Sequence, residues 1–68
     1  MEISYDKESD ALYIEFTKKK FSKYKKVDEF IILDIDKDGK IIGIEFLKAS
    51  ERLPRESFSE VHMKAVPA

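Results

Sequence analysis

Apolar and polar positions alternate along the first two thirds of the chain, and the alternation stops after Leu47. Glu2-Ile-Ser-Tyr-Asp6 predicts a short strand with Ile3 and Tyr5 on one face. Lys7-Glu-Ser-Asp10 predicts a turn, because Asp and Ser side chains bond nearby backbone groups. Ala11-Leu-Tyr-Ile-Glu-Phe-Thr17 alternates again, with Leu12, Ile14 and Phe16 inward and Tyr13 and Glu15 on the opposite side. A third strand is expected over roughly 22–27, ahead of the stretch 30–47 on which the rest is organised. There two runs rich in β-branched residues fold back on each other at Lys37-Asp38-Gly39.

A three-residue loop, a type I turn followed by glycine in the left-handed conformation, places Asp36 opposite Lys40. Continued without interruption, that register pairs Ile35 with Ile41, Ile32 with Ile44 and Phe30 with Phe46. One face then carries Phe30, Ile32, Ile44 and Phe46, with Ile42 beside Asp34. The other carries Ile31, Leu33, Ile35 and Ile41, with Gly43 facing Leu33. Both faces are therefore expected to be apolar.

Beyond Leu47 the period changes. Residues 48–57 are expected to connect, with Pro54 blocking any long strand. Ser57 and Glu60 have capping-box spacing, and Phe58, Val61, His62 and Ala65 recur at helical intervals. A helix over 58–66, ended by Pro67, is expected to cover one face of the sheet. The predicted fold class is α+β: an antiparallel β-meander of about five strands over 2–47 with a short C-terminal helix.

Sixty-eight residues make one domain, 1–68, with a small core. The absence of cysteine removes disulfides and thiolate metal sites, and a zinc site would have to rely on His62 and carboxylates. No apolar run reaches membrane-spanning length and the start lacks a signal-peptide pattern, so a cytoplasmic protein without membrane contact is expected. Net charge is −1, but residues 18–26 hold six lysines, leaving −7 for the remainder.

Lys18, Lys19, Lys20, Phe21, Lys23, Tyr24, Lys25 and Lys26 suggest nucleic-acid binding, with rings stacking on bases and ammonium groups meeting phosphates. The plainer account, which is favoured, is an edge strand whose lysines prevent edge-to-edge pairing. Asp34, Asp36, Asp38, Gly39, Ile41 and Glu45 occupy positions 1, 3, 5, 6, 8 and 12 of an EF-hand loop. That motif needs flanking helices, and Phe30-Ile-Ile-Leu-Asp-Ile35 is better strand than helix. Calcium at Asp34, Asp36, Asp38 and Glu45 thus ranks behind the hairpin. Asp6, Glu8 and Asp10 gather at a turn, where capping is the commoner role of such carboxylates. General acid–base chemistry would have to pass through His62, the one imidazole, which has no nucleophile context. Gly39 and Gly43 are the only glycines, too few for a phosphate-cradling loop. No catalytic residue and no cofactor are expected.

Tyr5-Asp6, Glu8, Asp10-Ala-Leu-Tyr-Ile14, then Asp34-Ile-Asp-Lys-Asp-Gly39 and Gly43-Ile-Glu-Phe-Leu-Lys-Ala-Ser50 together resemble the small prokaryotic proteins grouped as domain of unknown function 2283. The resemblance runs over about residues 3–50 and implies a small meandering β-sheet domain with no established activity. It also implies that the aspartate–glycine block is a hairpin, and that a small toxin protein is a conceivable partner. The functional expectation is a noncatalytic protein-interaction module, which the resemblance makes the antitoxin-like partner of a small toxin. A homodimer or a small protein partner is expected to cover the face bearing Ile31, Leu33, Ile35 and Ile41, because one short helix cannot cover two apolar faces.

Overall fold

The computed structural model describes residues 1–60. Five strands come first: β1 (Glu2–Asp6), β2 (Ala11–Glu15), β3 (Lys23–Lys26), β4 (Ile31–Ile35) and β5 (Ile41–Phe46). Two short helices follow, α1 (Ala49–Arg52) and α2 (Arg55–Glu60). The strands form one antiparallel sheet in the order β1-β2-β5-β4-β3, the α+β architecture that the alternation predicts. Consecutive strands pair within two blocks, β1–β2 and β3–β4–β5, and the blocks join where β2 pairs with β5. Residues 16–22 therefore carry the chain from the sheet interior to its far edge.

Aspartates build the tight reversals. Asp6 Oδ1 accepts the Glu8 amide at 2.9 Å, and Asp28 Oδ1 accepts the Phe30 and Ile31 amides at 2.7 and 3.0 Å. At the central hairpin Asp36 Oδ1 accepts the amides of Asp38 and Lys40, both at 2.9 Å. The Asp36 amide in turn donates to the Lys40 carbonyl at 2.9 Å, and Gly39 takes φ 82°. This is the loop expected from Asp38-Gly39, with Asp36 facing Lys40 and Ile35 opposite Ile41.

The pairing then departs from the uninterrupted register. A bulge between Asp34 and Ile35 leaves Ile42 as an extra residue on β5. Asp34 faces Gly43, Leu33 faces Ile44, Ile32 faces Glu45 and Ile31 faces Phe46. Side chains alternate with period two, so a one-residue slip exchanges the faces of everything beyond it. Ile31, Leu33 and Ile35 now share a face with Ile44 and Phe46, while Ile32 and Asp34 share the other with Glu45 and Gly43. The sheet has one apolar face, where two were expected. Leu12, Ile35, Ile42 and Ala49 are its buried apolar residues.

The C-terminal segment also differs from expectation. The supposed connector contains α1, and α2 begins at Arg55, three residues ahead of the predicted start. Pro54 stands just ahead of α2, and its carbonyl accepts the Ser57 amide at 2.9 Å, so Ser57 lies inside the helix and is not its cap. A proline lacking an N–H is well suited to a helix start, where that donor would be unused. Val61, His62, Ala65 and Pro67 lie outside the described residues.

On the polar face, Tyr13 lies flat across Gly43. A Cβ on Gly43 would overlap the Tyr13 hydroxyl and stand 2.7 Å from its ring carbon Cζ. Gly43→Ala is therefore expected to destabilise the fold by roughly 1–3 kcal/mol. In a Tyr13→Val background the same change becomes neutral or slightly stabilising, since alanine restricts the unfolded chain more than glycine. Denaturant melts of the four-member cycle measure this, and equal costs in the two backgrounds would refute the contact.

Candidate functional site

The apolar face is covered unevenly. Phe58 of α2 packs edge-to-face on Tyr5, with centroids 5.2 Å apart and planes at 73°, so the helix sits over the β1 margin. Its approach is held by a knot of polar contacts around Asp10, which ends the first hairpin turn at φ 53°. Asp10 accepts the Tyr5 hydroxyl at 2.6 Å, the Ser50 amide at 3.0 Å and the Ser50 hydroxyl at 2.7 Å. The Asp10 carbonyl accepts the Ala49 amide at 2.8 Å, drawing fully buried Ala49 onto the sheet. These donors hold the Asp10 carboxyl below its ordinary range, the Tyr5 hydroxyl first and the Ser50 hydroxyl next. Asp6 and Asp10 are thus caps, with Glu8 giving its amide to Asp6 and Asp10 reaching forty residues along the chain.

Toward β4 and β5 the face is more open. Ile31, Leu33 and Ile44 are only half-buried, and Ile41 is 48 % exposed at the bulge. Of the four residues expected to form a partner surface, the structure brings Ile31, Leu33 and Ile41 to this open region. Ile35 lies at its base as core. Lys23 and Lys25, opposite Ile35 and Leu33, rim it on β3. At the end of the hairpin the Arg52 guanidinium stacks over the Phe30 ring, 4.6 Å from its centroid.

The lysine-rich stretch divides into two parts. Residues 23–26 form the exposed edge strand β3, where lysines deter pairing with another sheet. Lys18 pairs with Glu2 at 3.5 Å, away from that edge. Lys19, Lys20 and Phe21 line one side of a cavity of about 550 Å3, whose other side is the hairpin turn at Asp36, Lys37 and Asp38. Phe21 and Tyr24 lie nearly parallel beside it, at 11° with centroids 6.5 Å apart. Asp36 is 4 % exposed. The Lys40 amide, then the Asp38 amide and the Lys19 and Lys40 charges, hold its carboxyl below the ordinary range against the opposing effect of burial.

The calcium arrangement does not form. Residues 31–35 and 41–46 are strands, so the flanking helices of an EF-hand are missing. Asp36 Oδ1 is engaged by backbone amides, and Asp34 Oδ2 accepts the Tyr13 hydroxyl at 2.8 Å on the polar face. Among the described residues no three of His, Cys, Asp and Glu gather where they could hold a metal ion. Burial, then the bond to Asp34 and the surrounding negative charge, push the Tyr13 phenol up to about 12.

The model of the family described as protein of unknown function (DUF2283) matches residues 2–50. No curated protein and no solved structure matches the chain. No helix among the described residues is long and apolar enough to cross a membrane.

The titration shifts set a pH profile. The Tyr13 phenol rises from 10.0 to about 12 on folding, so its stabilisation is complete below 10.0 and is lost as pH rises through about 12. Asp10 and Asp36 are lowered, so theirs is present above the ordinary carboxylate value and lost as pH falls through their depressed values. Denaturant melts across pH are expected to show both arms, with Tyr13→Phe flattening the alkaline one. A phenolate absorbance titration placing Tyr13 at its ordinary value would contradict this.

Proposed function

This chain belongs to the DUF2283 family of proteins of unknown function, and we propose that it is a noncatalytic protein-interaction module working through the β4–β5 half of its apolar face. A sheet with one apolar face requires a second layer to bury it. Among the described residues α2 supplies that layer at the β1 margin through Phe58. Ile31, Leu33, Ile41 and Ile44 remain wholly or partly open beside it. That continuous apolar patch, rimmed by Lys23 and Lys25, is the observation that carries the reading.

The simplest occupant is a second copy of the chain. A two-fold axis lays the patch on its own image, and an axis along the strands sends the two lysine rims to opposite sides. The bulge leaves one apolar face in place of two and collects the isoleucines on it, which favours a single interface. A small protein of another sequence is the alternative occupant.

Sedimentation velocity at micromolar concentration is expected to give a dimer. Ile41→Lys, at the exposed part of the patch, should weaken it roughly tenfold or more while circular dichroism keeps the strand signal. A wild-type chain that stays monomeric on concentration would sink the homodimer. A dimer indifferent to Ile41→Lys and to Leu33→Asp would place the interface elsewhere.

A further inference from the structure

We propose that the groove between residues 19–22 and the hairpin turn binds a nucleobase carrying a phosphate, the base lying on Phe21 and donating an N–H to Asp36 Oδ2. This site is separate from the apolar patch and does not depend on it. Its central observation is one carboxylate oxygen. Asp36 is 4 % exposed, and its Oδ1 is fully used by the turn amides. Among the described residues no hydrogen-bond donor reaches Oδ2, and its nearest cation, Lys19 Nζ, stands at 3.9 Å. That is beyond hydrogen-bond length, and an ionised buried acceptor left without a donor is costly. The groove therefore favours a ligand that brings a donor of its own.

The other walls narrow the chemistry of that ligand. Phe21 is half exposed and forms, with Tyr24, a pair of nearly parallel rings that offers a flat apolar ledge. Lys19, Lys20 and Lys37 line the same groove and make it basic. A flat ring system with an amino or imino N–H and an attached anion meets all three demands, and a nucleotide has that form. Lys19 has a largely exposed side chain, and its Nζ stands 3.9 Å from Oδ2. In the proposed complex its ammonium turns to the phosphate and the base takes the place beside Oδ2. A carboxylate acceptor at that point favours guanine, adenine or cytosine, whose exocyclic amines donate, over uracil, whose one imino N–H is flanked by two carbonyl oxygens that the carboxylate repels.

Two sources share this chemistry, free 5′-nucleotides and single-stranded nucleic acid, and titration separates them. The probes are the four ribonucleoside 5′-monophosphates, inorganic phosphate, and short single-stranded RNA of mixed sequence, each followed by chemical-shift perturbation and calorimetry. Binding is expected at Phe21, Asp36 and Lys37, with uridine monophosphate weakest among the monophosphates. If RNA binds far more tightly with a steep salt dependence, the source is the strand; comparable affinities identify the free nucleotide. Phe21→Ala should weaken binding roughly tenfold. Asp36→Asn keeps the acceptor that caps the turn and replaces Oδ2 by a donor, so the order of bases should shift toward uridine. The proposal is overturned if no nucleotide or RNA binds, if inorganic phosphate binds as well as nucleotides, or if Phe21→Ala and Asp36→Asn leave affinity and base order unchanged in a folded chain.

Discussion

The sheet depends on a single extra residue. Asp36 closes the hairpin turn by accepting two amides, and this sets Ile35 against Ile41. Ile42 is then inserted without a partner on β4, while its carbonyl accepts the Phe16 amide, and every β4–β5 pair beyond it moves by one. The bulge disrupts the ladder locally. In exchange Ile31, Leu33, Ile44 and Phe46 are gathered on one side with Ile35, and Ile42 itself becomes buried. Complete burial of an isoleucine or leucine is worth roughly 1.5–3 kcal/mol, so buried Ile42 together with the half-buried Ile31, Leu33 and Ile44 outweighs a strained ladder bond worth about 1 kcal/mol.

With one face apolar, the other can be polar, and its contacts follow. Tyr13 crosses Gly43 to reach Asp34 because the shifted register sets Asp34 opposite Gly43. The uninterrupted register would have put Asp34 next to Ile42 and Gly43 against Leu33. The same alternation places Tyr5 and Leu12 on the apolar side, where α2 can cover them through Phe58. A chain without disulfides relies on such local closures. The Asp10 knot ties the first turn to the start of α1 and thereby fixes where the helical segment descends on the sheet. Tyr5, Asp10, Tyr13, Asp34, Gly43 and Ser50, all within the residues that the family model matches, thus meet in two clusters that hold the fold.

The two surfaces proposed to bind partners differ in origin. The apolar patch is a consequence of the bulge, since an even register would have divided its isoleucines between two faces. The groove beside Asp36 comes from topology: the crossing from β2 to the far edge sets Lys19 and Phe21 next to a hairpin turn fifteen or more residues downstream. Neither surface uses Asp6 or Asp10, whose carboxylates are occupied by amides and hydroxyls.

The strands, their approximate limits, the central hairpin and the place of Lys23–Lys26 on an exposed edge strand were legible in the sequence, because period-two alternation and Asp-Gly turn chemistry are local properties. The alternation of Leu12 and Ile14 against Tyr13 and Glu15 is an example, and β1 runs over Glu2–Asp6 as its pattern predicts. The start of α2 was less legible, since a weak capping box at Ser57 competed with Pro54. The register beyond the turn, the bond between Asp10 and Ser50, and the order in which β2 meets β5 were settled only by the tertiary structure. Each depends on which arrangement buries the most apolar surface over the whole sheet, a sum over distant residues that no window of neighbouring letters contains.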